Sequence, residues 1–149
     1  MTSSGTQRRD EPPFEEQHVL IHLGLLMDQA RDLILASRTP DRLRPSQFRV
    51  IAWVPYDGTI TITALAERVG MTKQAVGQFV TTLVESGHLV TEEDPSDRRL
   101  RVVCRTQRGD EVTMELAKML ERLEERWAEV VGLKRYQQFR ATLEELAVS

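Results

Sequence analysis

Apolar positions across residues 14–38 recur at three- and four-residue steps: Val19, Leu23, Leu26, Met27, Ala30, Leu33 and Ile34. That is the period of a helix. Leu20, Ile21 and Leu25 fill much of the remaining circumference. A helix apolar nearly all round must be covered on more than one side. A small domain covers one side, so a partner chain is expected on the other.

Pro40 and Pro45 bracket a connection. Ser46 reads as the N-cap of a short helix over 47–54 that buries Phe48 and Ile51, with Trp53 a further candidate for burial. Pro55-Tyr56-Asp57-Gly58 has the composition of a turn, and 59–62 alternates like a brief strand. Two helices follow, over 63–69 and 72–86, broken at Gly70 and closed at Gly87 by a left-handed C-terminal position. Residues 88–93 and 100–106 read as strands joined by the turn Asp94-Pro95-Ser96-Asp97. A long amphipathic helix over 109–131 carries Val112, Leu116, Met119, Leu120, Leu123, Trp127, Val130 and Val131 on its stripe. Gly132 interrupts it before a last helix with Tyr136, Phe139, Leu143 and Leu146. Residues 1–13 are polar and read as a flexible tail.

Composition narrows the class. The chain has 149 residues, 40% of them apolar, which suits one domain with a sizeable core. Only 5% are aromatic and 29% are charged, a helix-rich balance. The net charge of −3 excludes a basic coat over the whole surface but leaves room for a basic face. The long helix and the last one hold much of the acid, away from the hairpin. A single cysteine, Cys104, excludes an internal disulfide and a Cys-rich zinc site. The longest apolar stretch, 19–27, is too short to span a membrane, and the N-terminus lacks the apolar core of a signal peptide. A cytoplasmic protein is the expectation.

The informative segment is 62–81, ITALAERVGMTKQAVGQFVT. A helix-turn-helix needs a small residue where the helices touch, a glycine at the turn and apolar residues facing the core. With Gly70 as the turn, Ala66 takes the close contact, and Leu65, Val69, Val76 and Phe79 face inward. That frame leaves Thr72, Lys73, Gln74, Gly77, Gln78 and Thr81 on the outer face. Thr72 caps the helix and suits a phosphate, and Lys73 suits a phosphate or a guanine. Gln74 and Gln78 suit adenine edges, and Thr81 the backbone or a thymine methyl. An amphipathic hairpin with a solvated polar face has the same pattern. The hairpin that follows separates the two readings. Arg98, Arg99, Arg101, Arg105 and Arg108 fall in one run with no acid among them. In that place such a run can reach an adjacent minor groove, although some arginines can be spent internally.

On these residues the chain resembles the multiple-antibiotic-resistance regulator (MarR) family of winged helix-turn-helix transcription factors. The match lies in ITALAERVGMTKQAVGQFVTTLVESGHL, in Asp97-Arg98-Arg99, and in Thr106-Gln107-Arg108-Gly109 opening the long helix. Arg105 stands where the family usually has leucine. The resemblance implies a mainly α fold with a small β-wing. The winged helix would occupy about 46–108, and dimerisation helices about 14–38 and 109–148, in one domain over 14–149. It implies a homodimeric regulator, usually a repressor, on a pseudo-palindromic double-stranded DNA site. Thr72, Lys73, Gln74 and Gln78 would lie at the family's recognition-helix positions and Arg99 at its minor-groove position; Thr81 on the same outer face and Arg98 beside Arg99 complete the candidate DNA contacts. It further implies release by a small phenolic or carboxylate ligand. His22, Met27, Phe48, Trp53 and Tyr56 are the candidates, and core packing is the plainer role for the apolar ones.

Other chemistry is thin. His18 and His22 share a helix face, but no carboxylate or cysteine motif completes a metal site, so neither a metal nor a cofactor is expected; a metal-responsive regulator of the same fold stays the alternative. Cys104 reads as a packing residue. No phosphate loop, G-x-S-x-G or H-E-x-x-H occurs, so an enzyme is not expected. A winged helix used only for protein interaction would expose apolar residues on the second helix, where this chain has Lys, Gln and Thr.

Overall fold

The computed structural model describes residues 18–37 and 43–149. The polar tail, the predicted helix start at 14–17 and Pro40 lie outside them. Among the described residues the order is α1 (Val19–Ala36), α2 (Pro45–Ala52), β1 (Ile60–Thr61), α3 (Ile62–Val69), α4 (Lys73–Glu85), β2 (Leu89–Glu93), β3 (Arg101–Arg105), α5 (Gln107–Val131) and α6 (Leu133–Ala147). The fold is mainly α, with a small antiparallel sheet in the order β1-β3-β2.

Threonine hydroxyls set three of the helix starts. Thr61 Oγ1 accepts from Ala64 N at 3.2 Å, Thr72 Oγ1 from Ala75 N at 3.1 Å, and Thr106 Oγ1 from Gly109 N at 3.1 Å. Each satisfies a donor that the first turn leaves open. The caps at Thr61 and Thr106 start α3 and α5 ahead of the expected 63 and 109. In α2 the expected cap is corrected. Arg44, not Ser46, is the N-cap residue, Pro45 occupies the first turn, and Gln47 Oε1 accepts from Arg44 N at 2.8 Å. Proline suits that place because its missing N–H would have had no partner in the helix.

The core lies inside the winged helix. Phe48, Val50 and Ile51 of α2 meet Leu65 and Val69 of α3, and Val76, Val80 and Leu83 of α4. Leu89 and Val103 of the sheet and Val112 and Leu116 of α5 close it. Trp53 does not join; it terminates α2 and is 51% exposed. Gly70 turns α3 into α4 at φ 70°, a conformation that costs a residue with a Cβ.

Outside the winged helix the packing is one-sided. No residue of α1 or α6 is buried. Trp127 Nε1 of α5 donates to Gln29 Oε1 of α1 at 2.9 Å, and Tyr136 of α6 donates to Glu124 Oε2 of α5 at 2.6 Å. Leu26, Trp127, Val130, Val131, Tyr136 and Phe139 line an open apolar groove of about 500 Å³ between the three helices. No helix among the described residues is long and apolar enough to cross a membrane.

Candidate nucleic-acid interface

The second helix of the turn motif, α4, buries Val76, Val80 and Leu83, and Phe79 is partly buried beside them. The period of 3.6 then sends Thr72, Lys73, Gln74, Gln78 and Thr81 to the opposite side, where all five are exposed. Gly77 lies among them, and a Cβ built there meets nothing within 4 Å. The middle of this face is therefore low and open. Thr81 is less available as a donor than its type suggests, because its hydroxyl donates to Gly77 O at 2.9 Å.

The wing is held by its turn. Asp94 Oδ1 accepts from Ser96 Oγ at 2.7 Å and from Ser96 N at 2.8 Å, and these bonds hold its carboxyl below the usual range. Asp97 Oδ1 accepts from Arg99 N at 3.0 Å, so this acid orders the backbone at Arg99. Asp94 N donates to Leu100 O at 2.9 Å, and Leu100 N to Asp97 O at 2.9 Å, closing the tip. Arg98 and Arg99 are exposed on it. Arg101 donates across the ladder to Thr91 Oγ1 at 3.1 Å.

The basic run does not act as one patch. Arg105 turns inward and donates to Ala52 O, the last residue of α2, at 3.0 Å, with Asp110 at 3.7 Å. Burial lowers its pKa, and the Asp110 charge opposes that shift. Arg108 donates to Ser86 O at the end of α4, at 3.0 Å. Both serve helix C-termini, where a cation is favoured by the dipole and satisfies a free carbonyl. Sequence reasoning missed a third such group, Arg49 of α2, which donates to Val69 O at 2.7 Å beside the Gly70 turn. Its partner lies twenty positions away in the chain, which no local pattern signals.

The structure disperses the five effector candidates. Phe48 is in the core at 2% exposure, while His22, Met27, Trp53 and Tyr56 are exposed. Tyr56 borders a cavity of about 490 Å³ with Asp57, Thr59, Cys104, Arg105 and Asp110. The Cys104 thiol is pushed up by burial and by the Glu92 charge, which disfavours a reactive thiolate. His18 is the N-cap residue of α1 and His22 lies on the helix; among the described residues no group of three or more His, Cys, Asp or Glu side chains is placed to hold a metal.

The MarR family model matches residues 43–100, the span from α2 through the tip of the wing. The HTH-type transcriptional regulator FarR of Neisseria gonorrhoeae is 23% identical over 139 residues, covering 91% of this chain and 94% of its own. The crystal structure of MarR superposes with a TM-score of 0.77 at 22% identity, over 90% of this chain and 91% of that one. The transcriptional repressor CouR, bound to a 23-mer DNA duplex, superposes with a TM-score of 0.73 at 22% identity, over 87% of this chain and 92% of its own.

Proposed function

We propose that this chain, which matches the MarR family model over residues 43–100, is a sequence-specific, double-stranded DNA-binding transcriptional regulator of the repressor type, working in the cytoplasm as a homodimer on a pseudo-palindromic operator. The observation that carries the reading is the face of α4. Lys73, Gln74 and Gln78 stand exposed around the open Gly77 position, with the wing arginines Arg98 and Arg99 on the neighbouring hairpin. A helix of this kind enters a major groove and reads base edges with its amides, while arginine at a wing tip enters the minor groove or holds phosphate. The similarity to a repressor solved on a DNA duplex supports the same use of the fold.

Two copies are needed for a two-fold site. The exposed apolar residues of α1, the end of α5 and α6 support the dimer, among them Leu20, Met27, Val130 and Leu146. Exposed large apolar residues gathered on neighbouring helices mark an interaction surface. A small phenolic or carboxylate effector would act by favouring one separation of the recognition helices, and Tyr56 is the candidate residue that borders a described cavity.

The test is a binding titration on duplex DNA over a salt series, comparing the native chain with Arg99→Ala. The native chain is expected to lose affinity steeply with salt, and the variant to bind more weakly with a slope shallower by about 1. An unchanged slope would remove the wing from the interface. No binding at low salt would leave the winged helix as a protein-interaction module.

A further inference from the structure

The start of α5 is fastened to the end of α4 at three consecutive carbonyls. Arg108 donates to Ser86 O at 3.0 Å, Thr106 Oγ1 to Gly87 O at 2.6 Å, and Thr106 N to His88 O at 3.1 Å. Gly109 lies so close that a Cβ there would sit 2.1 Å from His88 O. His88 is fully buried at this joint, with Nδ1 2.7 Å from Ser86 Oγ. Ser86 is the C-cap of α4, so its carbonyl lies where a helix end needs an outside donor.

Three guanidinium groups therefore hold the ends of three successive helices: Arg105 on α2, Arg49 on α3 and Arg108 on α4. Arg49 and Arg105 belong to elements of the winged helix itself. Arg108 belongs to α5, which runs on for 25 residues, about 37 Å, to the exposed Val130 and Val131. One end of this lever grips the recognition helix, and the other reaches the apolar surface that a second copy would cover.

Resting on the regulator reading above, we propose that Arg108 is a specificity-determining positioning residue. It locks the recognition helix to α5, so that the dimer accepts one spacing between half-sites and rejects its neighbours. Gln74 lies about 18 Å along the helix from the Ser86 end. A pivot of about 10° at that end would move Gln74 by about 3 Å, close to the ~3.4 Å rise of one base pair. A small loss of rigidity at Ser86 is thus enough to blur the spacing. A phosphate-binding arginine would behave differently, because its loss lowers affinity at every spacing alike and reduces the salt dependence.

The test uses the full chain and a set of duplexes with two selected half-sites, their spacer shortened or lengthened one base pair at a time. The native chain is expected to prefer its best spacing over the adjacent ones by about tenfold or more. Arg108→Ala should flatten that preference to about threefold or less, with unchanged base preference within each half-site and an unchanged salt slope. Arg108→Lys, which keeps a donor for Ser86 O, should restore most of the preference. The proposal is overturned if Arg108→Ala keeps the native spacing profile, or if it weakens all spacings equally with a shallower slope. If Arg108→Ala does not fold, Arg108→Lys must hold the native profile and Arg108→Met, which keeps the length but offers no donor, must broaden it, and the opposite pattern refutes the role. A native chain that binds no duplex would remove the regulator reading itself. Native binding with a sharp profile that Arg108 does not affect would remove only the positioning role.

Discussion

Gln74 and Gln78 stand one turn apart on the exposed side of α4, and an amide placed so can pair bidentately with an adenine edge. Gln74→Ala should change base preference at one position of each half-site, at about 1–3 kcal/mol for the lost pair, with little change in affinity for unrelated sequence. Selection of variant sites by the two proteins measures this, and an identical preference would take Gln74 out of the reading set. At this scale the sequence was most informative where chemistry is local. Thr72 capping α4 and Gly70 turning at positive φ follow from residue type and spacing alone. The arginines were the least legible. Charge shows in a sequence, but the carbonyl that takes it does not: Arg105 and Arg108 stand in the same run as Arg98 and Arg99, yet their guanidinium groups serve helix ends up to 53 positions away. Trp53 failed for another reason. Its apolar type suggested burial, but the helix ends beneath it and leaves it on the surface.

Among the elements, the joint between α5 and α6 has its own chemistry. Gly132 breaks the two helices apart, and Tyr136 of α6 then donates to Glu124 of α5. Burial, followed by the hydrogen bond and charge of Glu124, pushes the Tyr136 pKa from its ordinary 10.0 up to about 12. The neutral phenol is the form stabilised. The contribution of this bond to folding is therefore fully present below pH 10 and is lost as pH rises through about 12. The chain has two tyrosines, so a Tyr56→Phe variant reports Tyr136 alone by tyrosinate absorbance. The expected midpoint lies near 12, and Glu124→Gln should bring it down; a midpoint at the ordinary value with Glu124 in place would contradict the contact. Helices and strands were readable to within a few residues because their apolar periods are clean. The path of α6 back along α5 was not, since nothing in the spacing of Tyr136, Phe139 and Leu143 says which helix they lie on.

At the level of the whole molecule, the charge is partly sorted, although α5 also carries Lys118, Arg122 and Arg126 and the wing strand β2 exposes Glu92 and Glu93. Acids such as Glu111, Glu115, Glu121, Glu125 and Glu129 line α5, while the wing tip presents Arg98 and Arg99. A chain of net charge −3 can thus turn a basic edge towards DNA and an acidic body away from it. The apolar circumference of α1 already pointed to a partner chain, and the fold leaves that helix unburied with α6 and the end of α5 beside it. Two copies joined there would present two α4 helices to successive major grooves, about 10 base pairs apart. The measurement that tests this account most directly is selection from random-sequence duplexes by the purified chain at several salt concentrations, with its oligomeric state determined in parallel. The account predicts a dimer, a near-palindromic consensus with half-sites about one turn apart, and a steep fall of affinity with salt. A dimer that enriches no sequence at low salt, or a consensus with a single half-site, would contradict it.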